Sequence, residues 1–237
     1  MPLELVISDL DGTILETEDY HRRAYNALFE EMDLAQRWTK ADYSDRLAQV
    51  GGEKFREVFA WLDRPQDQYA ETKERLYARK TELYAALIVA DLVAGMLPLR
   101  PGVSRLFGEL AEAEIPIAIA SSCVKSAAID VIRAGLGEGF LESVAALCAG
   151  DDVSRKKPDP DIYLLAAREC GVAPENCLVL EDTAHGLQAA LGAGMTCVVT
   201  PSELARGDDF TGAHLRAESL ESQTRIDLGA LRELMTP

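Results

Sequence analysis

Two aspartates separated by one residue, Asp9 and Asp11, follow an apolar run near the start of the chain. Residues i and i+2 of an extended segment face the same side, so both carboxylates are expected together where the strand ends. Gly12 permits a tight turn directly after them. On its own, such a string is also typical of an ordinary strand end and turn. Burying two like charges is unfavourable without a cation, which predicts that the rest of the chain brings one to this place.

A second acidic pair, Glu181 and Asp182, ends another apolar run. Carboxylates from two strands at one sheet edge form an oxygen-rich site that suits a hard divalent cation. Mg²⁺ fits best, because it takes one or two carboxylates, keeps several waters and works beside phosphate. The sequence therefore predicts Mg²⁺ as the cofactor.

Two further segments supply groups that bind anions. Lys157 precedes a proline, which favours extended geometry, and the carboxylate cluster gives this lysine a partner. A surface-turn lysine without that context is usually solvated. The string IAIASSC carries Ser121 and Ser122 from a strand into the start of a helix, where hydroxyls and backbone N–H groups hold anions. Taken alone, Ser121 is typical of a helix N-cap.

Together these groups predict a phosphoryl-transfer site. Asp9 is the candidate nucleophile because it sits directly at the strand end, and attack on phosphorus would form an aspartyl-phosphate. Asp11 is the candidate acid/base, which protonates the leaving alkoxide and later activates water. Mg²⁺ would screen the repulsion between anions, while Lys157 and Ser121 hold the phosphoryl oxygens.

The elements that must position these residues alternate between strands and helices. Short apolar runs predict five strands, at Leu3–Ser8, Ile115–Ser121, Val144–Ala149, Cys177–Asp182 and Met195–Thr200. Helical patterns lie at Val103–Ala113, Val124–Ala134, Pro160–Cys170 and Ala184–Leu191, with Gly135, Gly171 and Gly192 as helix stops. This order predicts an α/β fold, a doubly wound parallel sheet covered on both faces. Ligands of such sheets bind at the carboxyl ends of the strands, where the candidate residues converge.

Strand signals are absent from the segment between the first strand and the rest of the sheet. Its patterns predict helices at Glu18–Met32, Lys40–Val50, Lys54–Leu62 and Asp67–Leu87. The predicted organisation is a core domain of residues 1–15 and 96–237 and an inserted helical cap of residues 16–95. Pro98 and Pro101 mark the linker back to the core.

Composition limits the partners. The formal net charge of the 237 residues is −16, with 40 acidic against 24 basic residues, which disfavours nucleic acid and anionic lipid. Five cysteines without a CxxC pair fit buried thiols in a reducing compartment. Met1–Val6 lacks the basic start and long apolar run of a signal peptide, and Ala85–Leu99 is broken by Asp91 and Pro98. We expect a cytoplasmic monomer that takes a small phosphorylated molecule and binds neither nucleic acid nor membrane.

Four strings in this order, DLDGT, ASS, KKPDPDIY and LEDTAHG, give the chain a resemblance to the haloacid dehalogenase superfamily over nearly its full length. The resemblance implies that Asp9 is the nucleophile and Asp11 the general acid/base. It also implies that Mg²⁺ is held by the Asp9 and Asp182 carboxylates and the Asp11 carbonyl. Ser121 and Lys157 would bind the transferring phosphoryl group. Glu181 would bind the metal through water or support the site.

The position of the insertion is similar to that of the helical-cap subgroup, which includes β-phosphoglucomutase. The strings ETEDYHRRAYNALF, VGGEKF, LRPGV and AGDDVSRKKPDPDIY are most similar to sugar bisphosphate phosphatases that act on xylulose 1,5-bisphosphate. Those proteins have a GGK turn in the cap, whereas this chain has GGEK, with Glu53 inserted before Lys54.

The cap supplies candidate substrate contacts. Thr17, His21, Tyr25 and Leu28 are spaced to share one helix face, although a single histidine on a helix is often structural. Basic cap residues are candidates for a second phosphate, and a hinge glutamate is a candidate for a sugar hydroxyl. The predicted substrate-binding residues are Glu16, Thr17, His21, Arg22, Arg23 and Lys54, with Arg56 also near the basic group and Arg79 and Lys80 expected in helix salt bridges.

Several other functions use the same motifs. A sugar phosphomutase employs the same carboxylates and differs in keeping water out. A dehalogenase has no need of Asp11, and phosphonate cleavage would need a Schiff-base lysine, for which Lys54 is the candidate. A non-catalytic metabolite-sensing module would have no need of the full set of aspartates that this chain retains.

Overall fold

The computed structural model describes residues 2–46, 53–223 and 225–236. The chain divides into two compact units, one of Met1–Glu16 with Leu92–Pro237 and the other of Thr17–Asp91. We call them the sheet unit and the helical unit. The helical unit starts one residue after, and ends four residues before, the boundaries that the sequence predicts for the cap.

The described part of the sheet unit holds six strands, all paired in parallel. They are β1 (Leu5–Ser8), β2 (Ile117–Ala120), β3 (Ala146–Cys148), β4 (Cys177–Glu181), β5 (Thr196–Val199) and β6 (Leu215–Arg216). Their spatial order is β3-β2-β1-β4-β5-β6. The predicted α/β parallel sheet is confirmed, and each of its five predicted strands forms within one or two residues of the expected ends. β6 is too short to give a sequence signal.

The central strands are apolar without alternation, because helices cover both faces of the sheet. Every residue of β1, β2, β4 and β5 is buried. Ser8, the last residue of β1, lies opposite Ile119 of β2 and Leu180 of β4. The three strands therefore end at nearly the same level, which brings the residues that follow them to one edge.

Helices of both units follow the predicted order with some changes. Those of the helical unit are α1 (Glu18–Glu31), α2 (Lys40–Ser44), α3 (Lys54–Trp61) and α4 (Tyr69–Val93), whose last two residues belong to the sheet unit. α4 is longer than predicted, and a short 3₁₀ turn at Gln66–Gln68 precedes it. Those of the sheet unit are α5 (Val103–Glu112), α6 (Lys125–Leu136), α7 (Glu138–Ser143), α8 (Asp161–Cys170), α9 (Ala184–Gly192) and α10 (Leu228–Leu234), with a 3₁₀ turn at Pro174–Asn176. The sequence patterns do not predict α7 and α10.

Two predicted helix stops are wrong. α6 runs through Gly135 and ends before Gly137, which has a φ of +89°. α9 includes Gly192, and the left-handed residue after it is Gly194. A glycine stops a helix where it takes positive φ, and the sequence alone does not show which of two nearby glycines does so. Gly171, at φ +68°, does cap α8 as predicted.

Aromatic side chains fill the core of the helical unit. Trp38 lies 4.7 Å from Tyr25 and 5.0 Å from Phe29, and Tyr25 lies 5.3 Å from Phe55, measured between ring centroids. α2 is shorter than predicted and ends at Ser44; the rest of that prediction, over 47–50, and the Gly51–Gly52 turn lie outside the described residues.

All five cysteines are unpaired, as expected: Cys148, Cys177 and Cys197 are buried, and Cys123 and Cys170 are half-buried. No helix in the described ranges has both the length and the apolar character needed to cross a membrane.

Candidate active site

The first predicted site residue, Asp9, continues directly from β1 at the centre of the sheet. Its backbone N–H donates to the Leu180 carbonyl over 2.9 Å, and its side chain is buried. Lys157 Nζ lies 2.6 Å from Asp9 Oδ1. A cation from the chain itself therefore lies beside this buried carboxylate, and it comes from a loop 148 positions away along the chain.

Lys157 is held on several sides. Its Nζ also lies 2.6 Å from Glu181 Oε1 and 3.1 Å from the Ala120 carbonyl oxygen, and it sits 4.8 Å above the centre of the Tyr163 ring. Burial lowers the pKa of Lys157, but the attraction of Asp9 and Glu181 outweighs it, so the pKa of this lysine lies above its usual value. Lys157 is thus a fixed positive charge between two strand ends.

Glu181 anchors that charge. Its Oε1 accepts from Lys157 and, over 2.5 Å, from the Tyr163 hydroxyl. Its Oε2 accepts from the backbone N–H groups of Asp182 and Thr183 and from the Thr183 hydroxyl, over 2.8 to 3.2 Å. Burial alone would raise the pKa of Glu181, but Lys157 and these hydrogen bonds hold it below its usual value. In this arrangement Glu181 supports the site.

The Asp9 carboxyl group is buried deeply enough to change its ionisation. Burial, with Glu181 and Asp11 adding to it and Lys157 opposing it, raises the pKa of Asp9 to about 8. Asp9 Oδ2 is fully buried and has no hydrogen-bond partner among the described residues. A buried carboxylate oxygen without a donor is uncommon, and it indicates a place for a further cation.

Asp11 lies beside Ser121. Ser121 is fully buried, and its backbone N–H donates to the Cys148 carbonyl, which fixes it at the end of β2. Its hydroxyl lies 3.1 Å from Asp11 Oδ2. The N-cap of α6 is Val124, so Ser121 does not have the N-cap role that its position alone would suggest. Ser122 is exposed beside it.

Asp182 lies against the turn that follows the first two aspartates. Gly12 has a φ of +86°, and a Cβ placed on it would lie 2.0 Å from Asp182 Oδ2. A side chain at Gly12 would therefore displace this buried carboxylate. The predicted core residues of the site, which the fold gathers at one edge of the sheet, are Asp9, Asp11, Ser121, Lys157, Glu181 and Asp182.

In the helical unit, His21 has a close cationic neighbour. Its ring stacks on Tyr84 with centroids 4.1 Å apart, and Lys80 Nζ lies 2.5 Å from its Nδ1. Burial and the charges of Lys80 and Lys54 lower the pKa of His21 well below 6.5. Lys80 is thus a neighbour of His21, and Arg79 forms salt bridges, as predicted, with Glu31 and Glu82.

The other predicted cap residues have different surroundings. Lys54 is buried, with its Nζ 5.5 Å above the Tyr43 ring, and burial lowers its pKa although Glu18 and Glu53 oppose this. Thr17 is fully buried just before α1. Arg56 is exposed.

Arg22 and Arg23 bind carboxylates of their own unit. Arg22 pairs with Asp19 at 2.7 Å and donates to the Trp38 carbonyl, and Arg23 pairs with Asp91 at 2.7 Å. These contacts support the packing of the helical unit.

Two residues near the site, both in the sheet unit, are not among those that the sequence predicts. Tyr163 lies in the KKPDPDIY string, six residues after Lys157, and its periodic position makes it look like an ordinary core residue of α8. Arg100 precedes Pro101 in LRPGV and is largely buried. In the sequence, Arg100 is only a charged residue in a linker, and no local pattern shows that it becomes buried.

The comparisons with known proteins agree with this geometry. A family model described as haloacid dehalogenase-like hydrolase matches residues 3–194, a span that contains all six core site residues. The chain belongs to the haloacid dehalogenase-like hydrolases. The predicted family is confirmed.

Curated relatives of this haloacid dehalogenase-like hydrolase match over most of their length. Protein CbbY of Cupriavidus necator is 37% identical over 218 residues, which cover 90% of this chain and 84% of the relative. Protein CbbY of Cereibacter sphaeroides is 36% identical over 233 residues, covering 98% and 96%. Beta-phosphoglucomutase of Bacillus subtilis is 30% identical over 214 residues, covering 90% and 88%.

Solved structures give the same result. CbbY from Rhodobacter sphaeroides in complex with phosphate superposes with a TM-score of 0.82 at 34% identity, covering 97% of this chain and 99% of that one. An aspartate-to-asparagine variant of the same protein, in complex with xylulose 1,5-bisphosphate, gives 0.83 at 34% identity with the same coverage. The predicted enzyme class, a phosphatase of this superfamily, is confirmed.

Proposed function

We propose that this phosphatase hydrolyses a small sugar phosphate or bisphosphate, with a ketose bisphosphate similar to xylulose 1,5-bisphosphate as the best candidate. The observation that carries the proposal is Lys157, a buried cation fixed 2.6 Å from both Asp9 and Glu181. The relatives support the sugar substrate, since one solved CbbY structure holds xylulose 1,5-bisphosphate.

The residues divide the chemistry between them. A carboxylate oxygen of Asp9 attacks phosphorus, and the bond to the leaving sugar oxygen breaks as Asp11 gives that oxygen a proton. Asp11 then takes a proton from water, which attacks the aspartyl-phosphate and releases phosphate. Lys157 would hold a phosphoryl oxygen, and Ser121, whose hydroxyl lies 3.1 Å from Asp11, would hold another.

The donor set fits Mg²⁺. In the described residues, no three His, Cys, Asp or Glu side chains form a ready-made metal cluster. Mg²⁺ needs only one or two protein carboxylates and takes the rest of its ligands from water and substrate phosphate. Asp9 Oδ2, which has no hydrogen-bond partner among the described residues, would hold the ion together with the Asp182 carboxylate and the Asp11 carbonyl. Glu181 already accepts hydrogen bonds from Lys157 and Tyr163. Bound Mg²⁺ neutralises charge on the phosphoryl group.

The helical unit is proposed to recognise the rest of the substrate. Its buried ammonium groups, Lys54 and Lys80, lie among tyrosine rings, with Lys80 Nζ 5.3 Å from the centre of Tyr25 and 5.0 Å from that of Tyr84. Lysine ammonium groups form charge-assisted hydrogen bonds with phosphate, so this positive charge suits a second phosphate. Thr17 and His21, and Glu16 of the sheet unit, remain the candidates for sugar hydroxyls, whereas the carboxylate partners of Arg22 and Arg23 make those two the weaker candidates.

The experiment that tests the proposal measures phosphate release from a panel of sugar monophosphates and bisphosphates, with Mg²⁺ and with a chelator, while NMR follows the sugar. Stoichiometric, Mg²⁺-dependent release from a ketose bisphosphate is expected. Isomerised sugar phosphate without net release would instead identify a mutase, the candidate that the similarity to beta-phosphoglucomutase favours.

A matched pair of variants tests the second-phosphate site. Lys80→Met should raise the KM for bisphosphates about 10-fold more than for monophosphates, because it removes one phosphate contact. Arg79→Met is the control, since Arg79 neighbours Lys80 in α4 but pairs on the surface with Glu31 and Glu82. Equal effects of Lys80→Met on both substrate classes would contradict the assignment.

A further inference from the structure

The segment that follows the helical unit carries a largely buried arginine with an unusual set of acceptors. The Arg100 guanidinium donates to the backbone carbonyls of Gly12, Thr200 and Pro201, the last two over 2.7 and 2.9 Å. Its Nε lies 3.6 Å from the Glu16 carboxylate. One side chain thus joins the turn after Asp11 to the chain that leaves β5.

The backbone around Arg100 holds the same turn. The Arg100 N–H donates to the Ile14 carbonyl over 2.8 Å, and Leu15 and Leu99 form an antiparallel bridge. The Gly12 N–H donates to the Leu15 carbonyl over 2.7 Å. The turn at 12–15 is therefore fixed from within and from the segment at 99–100.

The other side of Gly12 faces the candidate metal site. Asp182 Oδ2 lies so close that a Cβ on Gly12 would be 2.0 Å away. The Thr200 N–H donates to the Glu181 carbonyl over 2.8 Å, so the acceptors of Arg100 also belong to the region beside the end of β4. A shift of the Gly12 carbonyl would move the turn against Asp182 and change the backbone next to Asp11.

We propose that Arg100 is a positioning residue for phosphoryl transfer: its guanidinium holds the Gly12 carbonyl and thereby sets the orientation of Asp11 and the approach of the turn to Asp182. This inference rests on the proposed function of those aspartates. Arginine suits the task because its rigid fork of five N–H donors reaches several acceptors at once, whereas lysine offers three donors from one point.

The test compares Arg100→Lys with Arg105→Lys. Arg105 is a matched control, because it also donates to two backbone carbonyls, those of Leu220 and Ile226 at 2.8 and 2.9 Å, and pairs with Glu109 and Glu221. Its contacts hold the C-terminal segment and none is with the turn at 12–15. Both variants should lower the melting temperature, so the fall in stability by itself distinguishes nothing.

A positioning role predicts effects that the control lacks. Arg100→Lys should lower kcat by about 10-fold to 100-fold with KM changed less than about threefold, since the reacting groups are misplaced while substrate contacts remain. It should also raise the Mg²⁺ concentration for half-maximal thermal stabilisation, a readout that needs no turnover. Arg100→Ala should regain activity with millimolar guanidinium or ethylguanidine, and should not respond to tetramethylammonium.

The outcomes separate this inference from the proposed function. Wild-type protein that releases no phosphate from any sugar phosphate would refute the function, while the Mg²⁺ stabilisation of the variants would still test Arg100. If Arg100→Lys matches Arg105→Lys in kcat and in Mg²⁺ response, Arg100 is structural and the inference is overturned. The lysine variant keeps the charge and the aliphatic stem, so it serves where Arg100→Ala does not fold.

Discussion

Lys80 Nζ lies 2.5 Å from Nδ1 of His21. An ammonium group only donates, so Nδ1 accepts, and the imidazole is neutral with its proton on Nε2. Burial, Lys80 and Lys54 lower the pKa of this histidine well below 6.5. The folded protein therefore keeps His21 uncharged under conditions where the unfolded chain would protonate it.

This difference predicts a pH-dependent stability. Below about pH 6.5 the unfolded chain binds a proton at His21 that the folded protein does not, so the free energy of unfolding falls as the pH falls. The contribution of one such group is at most about 1.4 kcal/mol per pH unit. Urea unfolding of the wild type and of His21→Gln between pH 7.5 and 5 measures it. The variant should show a shallower decline, and parallel curves would contradict the buried neutral histidine.

Replacement of the nucleophile gives a second prediction. Asp9→Asn should reduce phosphate release by about 1000-fold or more, because an amide oxygen does not form the aspartyl-phosphate. In the presence of a chelator its melting temperature should equal or exceed that of the wild type, since the substitution removes a carboxyl group whose ionisation the folded state disfavours, with burial raising its pKa to about 8. If Asp9→Asn is clearly less stable than the wild type in the chelator, the ion pair between Lys157 and Asp9 stabilises the fold by more than its burial costs.

Gly186 offers a steric test of the Glu181 anchor. A Cβ at Gly186 would lie 1.8 Å from the Glu181 carboxylate, which accepts hydrogen bonds on both oxygens and would lose them if it moved. Gly186→Ala should cost about 2 kcal/mol or more and lower kcat through displacement of Lys157. Gly108→Ala, in the middle of α5 with nothing within 4 Å of its Cβ, is the control and should stabilise by about 0.5 to 1 kcal/mol. An unchanged kcat in Gly186→Ala would show that the position of Glu181 does not affect catalysis.

The two adjacent serines should differ. Ser121 is fully buried and donates to Asp11, whereas Ser122 is exposed. Ser121→Ala should lower kcat/KM by about 100-fold to 1000-fold, the range found when a transition-state hydrogen-bond donor is removed. Ser122→Ala should have an effect of less than about threefold, because any contact of that residue through its backbone N–H remains. A larger loss in Ser122→Ala than in Ser121→Ala would reverse the assignment.

The sequence predicts the centre of this protein better than its periphery. Buried parallel strands read as apolar runs, and a carboxylate at the end of such a run has few structural explanations, so Asp9 and Asp182 were both recognisable. The sequence singles out Lys157 because the carboxylate cluster gives it a partner, and its contacts with Asp9 and Glu181 confirm that partner. The ends of the strands and helices were less certain, as Gly135 and Gly192 show.

The contacts that the sequence does not predict join residues that are far apart along the chain. Lys80 contacts His21 across 59 positions, and Arg100 contacts Gly12 across 88. Tyr163 is one more apolar position of a helix until its hydroxyl is seen on Glu181. None of these pairings follows from local spacing, because each depends on how two elements pack.

The position of β1 between β2 and β4 also has a consequence for how the enzyme is made. β1 emerges first, yet its partner across the site, β4, lies some 170 residues later, with the whole helical unit between them. Pairings of such long separation form late, because loop closure must precede them. During refolding, helical signal should return early and activity last, and a nascent chain that stops before β4 should be inert even though it already contains Asp9, Asp11, Ser121 and Lys157.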